Sequence, residues 1–472
     1  MRSLKSVVPQ RFAPVLSEIA PLAERFRDAG FKLFIVGGTV RDLMLDHPLD
    51  ELDYDFTTDA QPDQIKALLA GWCDSLWTQG ERFGTIGAKK ANRVYEITTH
   101  RAEAYSPDSR KPDVQFSKEV KEDLSRRDFT INAMALEVTA ASPNLVDPFN
   151  GMSDLMGKVL RTPLSPEISF SDDPLRMMRA ARFISNLGMI AVPELVSAVK
   201  AMADRITIVS AERIRDEFDR LIVTERPSLG LWFLVDNGLS KHFLPELGAM
   251  QLEQDPIHRH KDVLTHTLAV VENVKRDDPC DFRITRLAAL FHDVGKPKTR
   301  AIRPGKGVTF YHHEAVGARM TRDRMRKLRY SAQDTETVAE LVALSARFHT
   351  YQMGWTDAAV RRYVRDAGEH LAELNVLTKS DCTTRNEKKV AALAKRMEEL
   401  EQRIADLAAR EELAAMRPEM QGDQVMEFLN VKPGRHVGEA LNFLMEIRIE
   451  EGLLGDQEIR RRLKSWWDLQ NK

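Results

Sequence analysis

Two carboxylates one residue apart, Asp53 and Asp55 in the stretch DYD, can share a divalent cation if they lie on a strand. Side chains at i and i+2 of a strand point to the same face. They follow an apolar run, Leu33 to Val36, that stops at Gly37 and Gly38. A glycine pair lets the backbone turn tightly and approach a ligand. The next residues, TVRDLML, read as a helix start, whose free N–H groups and positive dipole end favour an anion. Arg41 lies one turn in. Acids, glycine turn and arginine together suit Mg²⁺ and a polyphosphate. The plain alternative is a surface turn followed by two solvated acids. Glu96, in RVYEITTHR, is a third carboxylate near the metal if its strand neighbours the acidic one, and a solvated strand acid otherwise.

Three further stretches carry chemistry. In RRDFTINAMAL (126 to 136) Asp128 is expected to cap a helix start, with Arg126 and Arg127 in reach of phosphates. In DDPLRMMRAARF (172 to 183) Pro174 suits a helix's first turn, and Asp173, Arg176, Arg179 and Arg182 recur at three-residue steps. Such positions drift slowly around one face. An acid beside a guanidinium can read the Watson–Crick edge of a base, while other arginines hold phosphates. An exposed salt-bridge ladder would give the same spacing. Downstream, His266, the adjacent pair His292–Asp293, then His312, His313, His349 and Asp381 suit one or two divalent metals held between helices. DPFNG at 147 to 151 reads as turn chemistry alone.

The elements that must position these residues follow from periodicity. Residues 11 to 30 and 61 to 72 read as helices, and 80 to 101 as two strands joined around Lys90 to Asn92. The first ~140 residues thus form one mixed α/β unit. Beyond Ser171 helical periods dominate, interrupted by a polar excursion at 301 to 313 and ending in a long charged helix near 387 to 416. The expected class is α+β: a small mixed head with a β-sheet, then a long all-α body. With 472 residues, 43% hydrophobic and 30% charged, the chain has enough apolar content for several cores. A net charge of −2 means that any nucleic-acid surface must come from local clustering. Three scattered cysteines, Cys73, Cys280 and Cys382, point to reduced thiols in a cytoplasmic protein. No signal peptide or membrane span is expected.

Taken in order, GGTVRD, DYD, RRDFTINAMA, DPFNG, DDPLRMMRAARF and AERIRDEFDRLI (211 to 222) resemble the class II tRNA nucleotidyltransferase and bacterial poly(A) polymerase superfamily. Residues 260 to 381 resemble an HD phosphohydrolase domain, with His266, His292, Asp293 and Asp381 at its ligand positions. The combination is similar to the HD-containing CCA-adding enzymes of bacteria. The resemblance implies that the chain adds CCA to tRNA from CTP and ATP. Asp53 and Asp55 would then bind Mg²⁺, Gly38, Arg41 and Arg127 the triphosphate, and Asp173 with Arg176 the base, with Arg179 and Arg182 nearby. Where the family has Glu-Asp before the proline, this chain has Asp172–Asp173. GERFGTIG at 80 to 87 resembles the CCA-adding version of its motif more than the basic poly(A) version. The alternatives are a poly(A) polymerase, or an HD phosphohydrolase whose head only binds RNA. The HD segment implies a second divalent metal and phosphohydrolase work on RNA ends. The expected domains are the head (1–150), a helical nucleotide- and RNA-binding domain (151–245), the HD domain (246–385) and a helical, tRNA-binding tail (386–472).

Overall fold

A computed structural model describes residues 10–48, 54–104, 113–252, 262–304, 307–348, 355–384, 386–411 and 416–470. Asp53 and His349 lie outside these described residues. The chain forms two compact units, Met1–Phe243 and Leu244–Lys472.

The first unit is built on a mixed seven-stranded sheet. Its strands are β1 (Leu33–Val36), β2 (Tyr54–Thr58), β3 (Ser75–Trp77), β4 (Thr85–Lys90) and β5 (Arg93–Thr99). A separate hairpin, β6 (Arg101–Ala104) and β7 (Asp113–Phe116), precedes β8 (Ala135–Glu137) and β9 (Asn144–Val146). The sheet order is β3-β4-β5-β2-β1-β8-β9. Only the β2–β5 pair is parallel in this sheet. All four residues of β1 are buried, as expected of an interior strand covered on both faces. In β2 the first three residues alternate, with Asp55 half-buried between buried Tyr54 and Phe56. Tyr54 and Phe56 face a cluster with Tyr95, which also meets Trp72 edge-on, and Asp55 faces the other way. Glu18, from the helix Ala13–Asp28, accepts from the Tyr54 hydroxyl at 2.8 Å and from Arg93 Nε at 3.2 Å. That clamp holds the acidic strand from behind. Helices Arg176–Leu187, Ala211–Ile222 and Pro227–Asp236 complete the unit.

The second unit is predominantly helical. Its 301 to 313 excursion contains a short hairpin, Ala301–Arg303 with Gly307–Thr309. The charged stretch becomes the helix Glu387–Glu411. Three helices at the C-terminal end, Gly422–Leu429, Arg435–Glu451 and Asp456–Gln470, enclose a small core of Val425, Ala440, Leu444, Ile459 and Leu463, with Trp466 packed on it. Among the described residues no helix is long and apolar enough to cross a membrane.

Candidate functional site

The glycine turn forms where β1 ends. Gly37 has φ +69°, a backbone state that L side chains rarely adopt. A Cβ there would also sit 2.6 Å from Arg127 Nη1. The helix Gly38–Met44 follows, and Arg41 folds back toward its first turn. Its guanidinium donates two parallel bonds to Asp42, at 2.8 Å each, and a third to Asn132 Oδ1 at 2.6 Å. Asp55 stands on β2, and the parallel register places it directly beside Glu96 on β5. Register neighbours share a face, so Glu96 stands beside Asp55 and is not an isolated strand acid.

Two adjoining cavities, of about 410 and 400 Å³, meet at Asp55, Arg127, Asp128 and Arg179. One continues to Glu96, Asp173, Arg176 and Arg213, the other to Gly37, Gly38, Arg41, Arg182, Phe183 and Arg220. Together they are lined by nine arginines and five carboxylates, a local basic excess in a chain whose net charge is −2.

Several sequence expectations change here. Asp128 does not cap a helix. It is buried, and its Oδ2 accepts two bonds from Arg179, Nε at 2.8 Å and Nη2 at 2.6 Å, while Oδ1 accepts from Phe129 N and Asn132 Nδ2. Burial alone would push its carboxyl up, but the Arg179 charge and the Asn132 bond outweigh that and hold it well below the usual range. Asp173 is not on the arginine helix, which starts at Arg176. It ends the preceding helix, Pro166–Asp172, where Oδ1 accepts from Leu175 N at 3.1 Å. Its other oxygen pairs with Arg213 at 2.8 Å, not with Arg176. Arg176 instead bonds Ser169 Oγ at 2.9 Å and the Arg126 carbonyl. The three-residue row is not an exposed ladder either. Arg179 goes to Asp128 and Arg182 to the buried Glu217 at 2.5 Å. Arg126 and Arg127 both bond Asp123, which is fully buried below them. Asp123, Asn132, Phe183, Arg213 and Glu217 were not singled out from sequence. The last two were within reach, since AERIRDEFDRLI carries them one helical turn apart.

A second centre lies in the Leu244–Lys472 unit. His266, His292 and Asp381 bring ligand atoms within 4.8 Å of one another. His266 Nε2 is 2.8 Å from Asp381 Oδ1 and 3.8 Å from Asp293 Oδ2. The Nδ1 atoms are already engaged: His292 with the Ala289 carbonyl at 2.7 Å, His266 with Thr383 Oγ1 at 2.9 Å. His292 Nε2 is buried without a well-formed hydrogen bond and stands 3.3 Å from Asp293 Oδ2 and 3.6 Å from Asp381 Oδ1. This is the arrangement a metal-ligating histidine requires, one nitrogen oriented by the protein and the other directed into the site. Burial alone would lower the His292 imidazole, but Asp293 and Asp381 raise it to about 9. His313 Nε2 stands 3.5 Å from Asp293 Oδ1, whereas His312 is exposed at the helix start. Lys296 bonds Asp293 at 2.7 Å.

Comparison with known proteins finds matches along most of the chain. Residues 33–161 match the Poly A polymerase head domain, 191–250 the probable RNA and SrmB-binding site of polymerase A, and 263–416 the HD domain. An A-adding tRNA nucleotidyltransferase of Deinococcus radiodurans is 34% identical over 354 residues, 74% of this chain and 79% of that protein. A CCA-adding enzyme of Lactobacillus helveticus is 38% identical over 241 residues, so the matched part spans 58% of that relative and 51% of this chain. In fold, the crystal structure of Bacillus stearothermophilus CCA-adding enzyme in complex with CTP is similar, with a TM-score of 0.70 at 22% identity, covering 98% of this chain and 99% of that one. The mixed head, the RNA-binding segment and the HD domain thus occur in one chain with a relative aligned over most of its length, and the chain belongs to the tRNA nucleotidyltransferase and poly(A) polymerase family.

Proposed function

We propose that the protein adds C, C and A to the 3′ end of tRNA, taking them from CTP and ATP without a nucleic-acid template. The observation that carries this reading is one cavity holding Asp55 and Glu96 together with Asp173, Arg176 and Arg213. The RNA 3′-hydroxyl attacks the α-phosphorus, the new P–O bond forms, and the bond to the pyrophosphate oxygen breaks. The hydroxyl proton passes to solvent. Asp55, with Asp53 and Glu96, would hold Mg²⁺, which lowers the hydroxyl's pKa and neutralises the leaving oxygens. Gly38, Arg41 and Arg127 hold the triphosphate. Cytosine and adenine both carry an exocyclic amino group where uracil and guanine carry a carbonyl. A carboxylate is acceptor-only, so Asp173 suits the first two, and Arg176 supplies donors beside it. The domain bounds 1–150, 151–245, 246–385 and 386–472 and a cytoplasmic location belong to the same proposal.

The test uses tRNA ending before CCA, after the first C, or after CC, with single nucleotides supplied and products sized. Addition of two C and one A, then a stop, supports the reading. Addition of A alone, and only after CC, would align the protein with its Deinococcus relative. A long A tail would make it a poly(A) polymerase. In the same assay Arg176→Ala is expected to lose discrimination against UTP and GTP; unchanged discrimination counts against base reading. The second centre is proposed to hold a divalent metal on His266, His292, Asp293 and Asp381 and to hydrolyse phosphate esters at RNA ends. Phosphate release that survives Asp293→Ala would sink that assignment.

A further inference from the structure

Asn132 lies in the apolar stretch TINAMAL and is 5% exposed, a setting in which an amide must find partners for both of its ends. Its partners are of opposite kinds. Arg41 has only donors, so the amide oxygen must face it, at 2.6 Å. Ionised Asp128 has only acceptors, so the amide nitrogen must face it, at 2.9 Å. The orientation is therefore dictated by both neighbours at once. The chain of bonds runs from Asp42 through Arg41, Asn132 and Asp128 to Arg179. It begins on the helix of the glycine turn and ends on the helix that follows Asp173. An aspartate in the middle would set acceptor against acceptor, and a leucine would bond neither side.

We propose that Asn132 is a positioning residue that ties the triphosphate-side guanidinium, Arg41, to Arg179, the guanidinium that lines both cavities, so that each is aligned only when the other is. This rests on the nucleotidyl-transfer reading above. Residues joined in one hydrogen-bond network have non-additive effects, whereas independent ones add. The test is a double-mutant cycle of Arg41→Ala and Arg179→Ala, read as kcat/KM for CTP on tRNA lacking CCA. The cycle is measured in the wild type, in Asn132→Ala and in the isosteric Asn132→Asp, with melting curves and tRNA binding to confirm folded protein. In the wild type the double variant is expected to lose about tenfold less than the product of the two single losses. In both Asn132 backgrounds the losses are expected to multiply. Coupling that persists without Asn132 overturns the proposal, because it must then run elsewhere, for instance across the Phe183 ring that both guanidiniums face. Losses that already multiply in the wild type overturn it too. If neither single variant lowers kcat/KM, the reading of the cavity as the nucleotide site fails instead, and the two failures are told apart. An Asn132→Asp protein that melts as the wild type does, yet shows no loss of coupling, also counts against it.

Discussion

At the scale of residues, the cleft separates groups that must stay available from groups that hold others in place. Asp55 and Glu96 share a register position and open onto a polar cavity. Asp55→Asn is expected to abolish nucleotide incorporation while tRNA binding stays within about twofold, since the amide is isosteric and removes a single charge from a large basic cleft. Retained incorporation would remove Asp55 from the metal site. Asp128 belongs to the second kind. Its carboxyl is held below the ordinary range by Arg179, so its stabilising effect is complete above the unfolded value near ~4 and is lost as pH falls below it. The melting temperature is therefore expected to drop between pH 5 and pH 3 by less in Asp128→Asn than in the wild type, with the variant already less stable at pH 7 by roughly 3–5 kcal/mol, as for other broken buried pairs. An equal drop in the two proteins would deny the pair that role.

At the scale of elements, what was legible in the sequence was whatever repeats locally. β4 and β5, the N-terminal helix and the glycine turn all announced themselves by period and punctuation. Asp173 shows the limit. A spacing of three is the same whether a residue sits on a helix or in the turn before it, so the helix start at Arg176 was hidden. Glu96 was undecidable for another reason: strand pairing is a relation between distant segments, here 41 residues apart, and only the sheet order supplies it. The pairings Arg213–Asp173 and Glu217–Arg182 were invisible in the same way. Close approach between elements is also unreadable from one sequence, yet it decides the second centre. A Cβ on Gly295 would lie 2.1 Å from the His313 carbonyl oxygen. Gly295→Ala is expected to push the His313–Lys327 helix away from Asp293 and to lower divalent-metal uptake by that unit, measured on purified protein, by at least about tenfold. Nucleotide incorporation should persist, because every residue lining the two cavities belongs to the other unit. Normal metal uptake would show that the contact can be relieved without cost.

At the scale of the whole molecule, near-neutral charge conceals strong local asymmetry. The arginine excess in the cleft is built from segments between Arg41 and Arg220, and composition averages it away against acids elsewhere. RNA affinity is therefore expected to fall by at least about tenfold between 50 and 200 mM salt. A flat salt response would mean that these arginines do not meet phosphates. The long helical tail tells a different story. Trp466 stacks on Phe443 at 5.0 Å and packs on the small C-terminal core, so it serves packing.

The ring of Phe183 has one further consequence. Arg41, Arg179 and Arg182 lie over it at 5.2, 5.8 and 4.6 Å, and each is also tethered to a carboxylate. Long cationic side chains ordinarily lose up to roughly 2 kcal/mol of rotamer freedom each when they seize an anion. Here that freedom has already gone when the chain folds. A polyphosphate bound at this ring would meet three guanidiniums that are already tethered, so its binding would cost the protein little further side-chain freedom.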